Sequence, residues 1–255
     1  MSDAMTMVRR NVSHTRRNPI VLIMTIALPV FMLLLFVGIF GGALNAGLGA
    51  AAQGVEYIDY VVPGILLMAV GYGASQTAMA VNQDVTTGII SRFRTMRISR
   101  TSVLTGHVVV STARTLISSV LVVGVAVLMG YRPDGDVVGW LAAAGLVALL
   151  TLALTWLAVA VGLAAKTVAG TTPFLFIVQL LPFVSSAFVP THTMPDWLRV
   201  FADNQPMTLV VNAVRDLTLG TNVYDAEIPS VIWSVAILVV GFPLGLWLYN
   251  RRTTQ

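Results

Sequence analysis

Six apolar stretches, separated by short polar links, dominate the pattern along this chain of 255 residues. The hydrocarbon core of a bilayer is ~30 Å thick and takes ~20 helical residues to cross. Stretches of about that length lie at residues 20–40, 60–81, 103–130, 138–163, 172–189 and 228–249. The pattern therefore predicts an all-α integral membrane protein, with six transmembrane helices in a single transmembrane domain over residues 1–255.

Successive links contain many and few basic residues in turn. Eleven of the fifteen lie in the two termini and in the links after the second and fourth spans, whereas the other three links hold three. Lysine and arginine accumulate on the cytoplasmic side of short membrane loops. We therefore expect both termini to be cytoplasmic.

The composition fits a membrane protein and argues against several kinds of site. The chain is 56% hydrophobic and 10% charged, and its mean hydropathy is +0.84. It has no cysteine, and its three histidines are scattered without metal-ligand spacing. Its one lysine, Lys166, follows two alanines, whereas a phosphate-binding loop needs glycine before lysine. We expect no nucleotide-binding domain, no metal site, no catalytic residues and no nucleic-acid partner.

One basic residue, Arg114, lies within an apolar stretch. A charge inside a membrane span is by default a hypothesis of function. However, a helix over 103–130 would extend ~42 Å, so its first turns would project beyond the hydrocarbon. We therefore favour a position near the inner interface, from which the side chain reaches the headgroups.

Two polar segments have amphipathic helical patterns. In the N-terminal segment, apolar residues such as Met5 and Val8 share one face, which is typical of a helix lying at a membrane surface. The link Gly88 to Arg100 has Ile89, Phe93 and Met96 on one face, with arginines beside them. This link is either a helix docked in a partner's groove or a basic loop on anionic lipid, and the pattern alone leaves both open.

The long link before the last span predicts two short helices. Pro195 begins one and Pro206 the other, and Gly220 stands where a helix-ending glycine is expected. Because both helices have an apolar face, we expect a hairpin that re-enters the outer leaflet and packs against the spans. The hairpin residues that we single out are Pro195, Trp197, Phe201, Pro206 and Arg215.

Three passages together resemble type 2 ATP-binding-cassette export permeases close to the daunorubicin-type drug exporters. They are Arg17-Asn18-Pro19 before the first span, Arg97 to Gly106 after the second, and the block from Phe183 to Leu217. The block holds Ser185 to Pro190, Met194-Pro-Asp-Trp-Leu198, Asn204-Gln-Pro-Met-Thr208 and Ala213-Val-Arg-Asp-Leu217 in the family's order. One departure is Gln205, where many relatives have asparagine, and we expect it to matter little.

The resemblance implies a permease subunit of a multidrug exporter in the bacterial cytoplasmic membrane. It implies a second permease, identical or related, and two separate ABC ATPases that bind ATP and Mg²⁺, so this chain is not itself an enzyme. The N-terminal segment would be an elbow helix, residues 88–100 the coupling helix, and the hairpin a cap at the exit. The expected contacts with the ATPase are Ile89, Arg92, Phe93, Arg94, Met96 and Arg97.

A substrate pathway would be lined by inward faces of the second and fifth spans. The candidates are Met68, Tyr72, Gln76, Met79, Phe174, Gln179 and Phe183. Methionine and aromatic side chains adapt to bulky amphiphiles, although ordinary helix packing also explains each position. We expect a drug, antibiotic or lipid as cargo, with a lipid-linked glycan as the alternative. A channel or secondary transporter would usually show relay charges and a repeat, and neither pattern is present here.

Overall fold

The computed structural model describes residues 19–42, 56–87 and 100–254, and every regular element within them is helical. The α-helices are α1 (Pro19–Leu35), α2 (Tyr57–Thr86), α3 (Arg100–Leu128), α4 (Val137–Ala164), α5 (Thr172–Leu180), α6 (Asp196–Asn204), α7 (Pro206–Leu219) and α8 (Glu227–Thr254). A π-helical turn over Phe36–Phe40 extends α1. The prediction of an all-α chain is confirmed.

Five helical segments in the described ranges are long and apolar enough to cross a membrane. They are Ile23–Phe40, Tyr57–Thr86, Leu104–Leu128, Val137–Ala164 and Glu227–Arg251. They coincide with the first four predicted spans and the sixth, because each apolar stretch folds as one continuous helix.

The fifth predicted span, 172–189, is not one helix. A 3₁₀ turn over Val168–Thr171 precedes α5, and a second over Leu181–Val184 follows it before the chain turns. Helix α5 has nine residues and is therefore ~14 Å long, about half of the hydrocarbon thickness. Pro182 explains the break, because proline lacks the N–H that an α-helix would use there.

Helix α2 is the centre of the bundle. It packs against α1, α3, α4, α5 and α7, and nearly all of its length is buried. A Cβ atom at Gly64 would lie 2.6 Å from the Cβ of Ala187, and one at Gly71 would lie 2.8 Å from a methyl group of Val178. Small residues therefore let the broken fifth segment approach the α2 backbone closely.

The two ends of the bundle differ. We call the end that holds Tyr57, Leu128 and Val137 the upper end, and the end that holds Thr86, Arg100 and Ala164 the lower end. Helices α6 and α7 pack at the upper end, where the backbone N–H of Gly135 donates to the carbonyl of Thr218 at 2.9 Å. The last helix, α8, packs along α4 and also contacts α7, and much of the rest of its surface is exposed.

The predicted hairpin is present as a pair of helices joined at Gln205. Asp196 lies in the first turn of α6 as expected, but Pro195 is the N-cap and not the first helical residue. Helix α7 ends at Gly220, which has φ +67°, a left-handed conformation that glycine adopts without strain. Most of α7 is buried, whereas α6 lies on the outside.

Candidate functional site

Part of one face of α2 is accessible in the lower half of the bundle. Between Tyr60 and Asn82, every residue of α2 is buried except Tyr72, Gln76, Met79 and Ala80. These positions recur at intervals of three and four residues, so they share one face. We call Tyr72, Gln76 and Met79 the α2 stripe. Three of the four α2 residues predicted to line a pathway are thus brought together, whereas Met68 is only 6% exposed.

The predicted pathway residues of the fifth segment lie elsewhere. Phe174 packs against the central core, and the side-chain Nε2 of Gln179 is buried without a hydrogen-bond partner. Phe183 is half exposed and stacks on Phe188 at 5.0 Å, which stacks in turn on Phe36 at 4.3 Å. Phe183 therefore belongs to an aromatic stack with the end of the first span and not to the α2 stripe.

An apolar cavity of about 430 Å³ lies between α2, α3, α4 and α7. Its wall includes Leu66, Val123, Trp140 and Val147, with hydroxyl groups from Ser119 and Thr218. None of the predicted pathway residues lines it. The cavity has the apolar character of a site for a hydrophobic group, but the sequence pattern gave no signal for it.

Arg114 lies on α3 beside the α2 stripe. Its Nη2 donates to the hydroxyl oxygen of Ser111 at 3.5 Å, and its Nε is buried with no hydrogen-bond partner. The ring of Tyr72 is near enough to interact electrostatically with the guanidinium. The expectation that this side chain simply extends to the headgroups is therefore incomplete, because one of its donors is buried in the bundle.

The predicted coupling segment lies outside the described residues, as do Ile89, Arg92, Phe93, Arg94, Met96 and Arg97, and the predicted elbow helix. The helices that it joins are held together near the lower end, where the ring Nε2 of His107 lies 3.1 Å from Oδ2 of Asp84. The segment therefore links two helices whose lower ends are already packed side by side.

Arg215 fastens the hairpin to the bundle. Its side chain is 2% exposed. Nε and Nη2 donate to the carbonyl of Tyr60 at 3.2 and 2.9 Å, Nη2 also to the carbonyl of Ser186 at 2.8 Å, and Nη1 to Oδ1 of Asn212 at 2.8 Å. The guanidinium carbon lies 3.8 Å from the centre of the Tyr60 ring. One side chain thus connects α7, α2 and the turn after α5.

Gln205 has a larger structural role than expected. Its side chain is 4% exposed, and Nε2 donates to the carbonyls of Leu181 and Val184 at 3.0 and 2.7 Å. These carbonyls lie in the 3₁₀ turn that ends the broken fifth segment. The departure from asparagine therefore falls on a side chain that makes two hydrogen bonds, and asparagine is one methylene shorter.

The remaining hairpin residues take separate positions. Pro206 is the first residue of α7, and Trp197 and Phe201 are 77% and 51% exposed on α6. Sequence reasoning missed Asn212 and Asp216, which are buried on α7. Asp216 accepts hydrogen bonds from Thr221 and from the backbone of Val223 and Tyr224. The available signal was polar residues placed among the apolar positions of an amphipathic helix.

Burial at the upper end also affects a tyrosine in the link after α3. Burial raises the pKa of Tyr131 to about 12, against a smaller opposing effect of its hydrogen bond with Thr218. Its hydroxyl is therefore protonated throughout the physiological pH range. Near the hairpin it acts as a neutral hydrogen-bonding group.

Comparison with known proteins assigns the chain. The ABC-2 type transporter family matches residues 3–219. The daunorubicin resistance ABC transporter permease protein DrrB1 of Streptomyces coeruleorubidus is 28% identical over 100% of this chain and 88% of its own length. The probable doxorubicin resistance ABC transporter permease protein DrrC of Mycobacterium tuberculosis is 25% identical over 99% and 90%. A putative transport permease, ycf38 of Pyropia yezoensis, is 26% identical over 87% and 76%. With its membrane-length helices, this multi-pass membrane protein belongs to the ABC-2 type transporter family.

Proposed function

We propose that the chain is the membrane-spanning permease subunit of an ATP-driven ABC exporter. It moves a hydrophobic or amphiphilic compound, such as a drug, an antibiotic or a lipid, out across the bacterial cytoplasmic membrane by alternating access. The observation that carries this proposal is the family match over residues 3–219, supported by relatives named as drug-resistance permeases over nearly the whole chain.

The proposed arrangement has the lower end in the cytoplasm, together with both termini. The basic links at Arg92 to Arg100 and at Lys166 support this orientation. The broken fifth segment with its 3₁₀ turns is then the fifth of six membrane segments, stopping short of a full crossing as a regular helix. The hairpin α6–α7 lies at the outer leaflet, and the whole chain forms a single permease domain.

The proposed energy source is a separate pair of ABC ATPases, which bind ATP and Mg²⁺. This chain binds no cofactor of its own in the proposal. The coupling helix over residues 88–100 transmits ATPase closure to α2 and α3. The contact between the side chains of Asp84 and His107 links these two helices, so that they move together. A second permease, identical or related, completes the complex.

The proposed cargo contacts begin at the α2 stripe. A tyrosine, an amide and a methionine on one accessible face combine aromatic, hydrogen-bonding and adaptable apolar groups. That combination suits an amphiphile better than a small ion, which would need compensating charges along its route.

Affinity purification of the chain from its native membrane in mild detergent tests the proposal. We expect an ATPase with Walker motifs to co-purify at about one to one, and the complex to hydrolyse ATP faster when a cargo compound is added. A variant of that ATPase without its Walker lysine is the matched control for contaminating activity. Recovery of a stable oligomer with no ATPase and no response to nucleotide would contradict the exporter proposal and would favour a channel or a secondary transporter.

A further inference from the structure

Arg114 is a charged residue within the depth of the membrane. It is the middle residue of α3 (Arg100–Leu128), with 14 residues on either side. Those 14 residues span ~21 Å, so with Leu128 at the upper boundary Arg114 lies in the lower half of a ~30 Å hydrocarbon layer. Desolvation makes a charge at such depth costly unless it gains a partner.

The described part of the chain supplies no acidic partner for Arg114. The described ranges contain ten of the eleven acidic residues, and none of them contacts this side chain. The carboxylate contacts found there include those of Asp84 with His107 and of Asp203 with Arg199. The buried Nε has no hydrogen-bond partner. Arg114 therefore differs from Arg215, whose buried donors are all directed at carbonyl or amide oxygens.

The surroundings of Arg114 are polar next to the guanidinium and apolar toward the upper end, which matches the two parts of an amphiphile. The hydroxyl of Ser111, which is also hydrogen-bonded to Thr77, lies beside the guanidinium, and Tyr72 is near enough to interact with it electrostatically. Toward the upper end, Ile117 and Leu121 follow on the same face of α3 and are 60% and 44% exposed. The positively charged group is thus followed, toward the upper end, by an exposed apolar surface that runs parallel to a lipid chain.

We propose that Arg114, held by Ser111 on the side of α3 that faces Tyr72, binds the carboxylate or phosphate group of an anionic amphiphile whose apolar chain lies along Ile117 and Leu121. The guanidinium can donate two parallel hydrogen bonds to either oxyanion. The site discriminates against cationic amphiphiles, because they would meet a like charge in a medium of low dielectric constant. This inference rests on the proposed export function, since it names the class of cargo that approaches the α2 stripe.

Photolabelling of the full chain in nanodiscs of neutral phosphatidylcholine tests the site. The probes are a diazirine-bearing fatty acid, its methyl ester and a diazirine-bearing phosphatidate. We expect an anionic probe to label the α3 peptide that contains Ile117 and Leu121 at concentrations at least tenfold lower than the ester. Arg114→Gln should weaken that labelling about tenfold, whereas Arg114→Lys, which keeps the charge but loses the bidentate geometry, should weaken it less than Arg114→Gln does. Arg132→Gln, at an exposed position near the upper end, is the matched control and should change nothing.

The possible outcomes either distinguish a free amphiphile from a lipid headgroup as the ligand or contradict the proposed site. Labelling by the fatty acid assigns a free amphiphile, and labelling by the phosphatidate alone assigns a lipid headgroup. Equal labelling by the ester, or unchanged labelling of Arg114→Gln, overturns the inference. If Arg114→Gln does not fold, competition on the unaltered chain decides: palmitate should displace the probe at least tenfold better than hexadecanol or hexadecylamine, and equal displacement overturns the site. Because no ATPase is needed, failure here is distinct from failure to recover an ATPase.

Discussion

Replacing Arg215 with lysine should loosen the hairpin from the bundle while keeping the positive charge. The arginine reaches three separated acceptors, the carbonyls of Tyr60 and Ser186 and the side chain of Asn212. Its donors are arranged in a rigid planar fork, whereas lysine carries its donors on a single nitrogen. One ammonium group cannot reach acceptors on three different elements, so buried oxygens lose their partners.

The magnitude follows from the lost hydrogen bonds. A hydrogen bond to a charged group contributes about 1.5–3 kcal/mol. Losing two of the four bonds that Arg215 makes therefore costs at least about 3 kcal/mol. For a chain of this size, ~1 kcal/mol corresponds to ~2–4 °C in Tm, so we expect a decrease of about 6–12 °C.

Thermal unfolding of the purified chain in one detergent, followed by tryptophan fluorescence, measures this decrease. The matched control is Arg199→Lys on α6 of the same hairpin, because Arg199 makes one exposed contact of 3.4 Å with Asp203. An exposed pair of that kind contributes less than ~1 kcal/mol. If Arg215→Lys melts within 2 °C of the control, on the scale of ~2–4 °C per kcal/mol, the fastening role assigned to Arg215 is wrong.

Three further changes test separate parts of the structure. Gln205→Leu should lower stability by about 1–3 kcal/mol in the same melting assay, because two partly buried carbonyls lose their donor; an unchanged Tm would contradict this. Gly64→Val should reduce the folded yield in size-exclusion chromatography, whereas Gly124→Val, with open space around it, should not; equal yields would refute the close approach at Gly64. Phe93→Ala combined with Arg97→Ala should abolish cargo-stimulated ATP hydrolysis without impairing insertion, and normal stimulation would exclude the coupling helix.

The length of the apolar stretches was enough to predict the continuous helices. The fourth predicted span, 138–163, differs from α4 (Val137–Ala164) by one residue at each end. Such agreement arises because a bilayer requires every backbone polar group to be bonded within the helix, so an apolar stretch of sufficient length has few alternatives. The same criterion failed for 172–189, where hydropathy is uniform but Pro182 removes a backbone donor.

Proline and glycine at the ends of α7 were enough to predict the hairpin. Contacts between residues far apart in the sequence could not be predicted in this way. Pro206 and Gly220 mark the ends of α7 by their own backbone preferences, which a sequence displays directly. The partners of Gln205 are carbonyls 21 and 24 residues away, in a turn whose path depends on how the fifth segment breaks. No periodicity encodes a contact of this kind, which is why the effect of Gln205 was underestimated.

The buried arginines of the two halves of the bundle differ in how their donors are bonded. In the upper half, the buried charges of Arg215 and Asp216 are directed at fixed hydrogen-bond partners, which fasten α7 to α2 and to the following loop. In the lower half, the α2 stripe is accessible and Arg114 retains a buried donor without a partner. Since an unsatisfied donor costs about 1–3 kcal/mol, Arg114 would gain from a ligand that supplies an acceptor. The contrast between the two buried arginines agrees with the proposed ligand site at Arg114 and with a hairpin that Arg215 holds against the bundle.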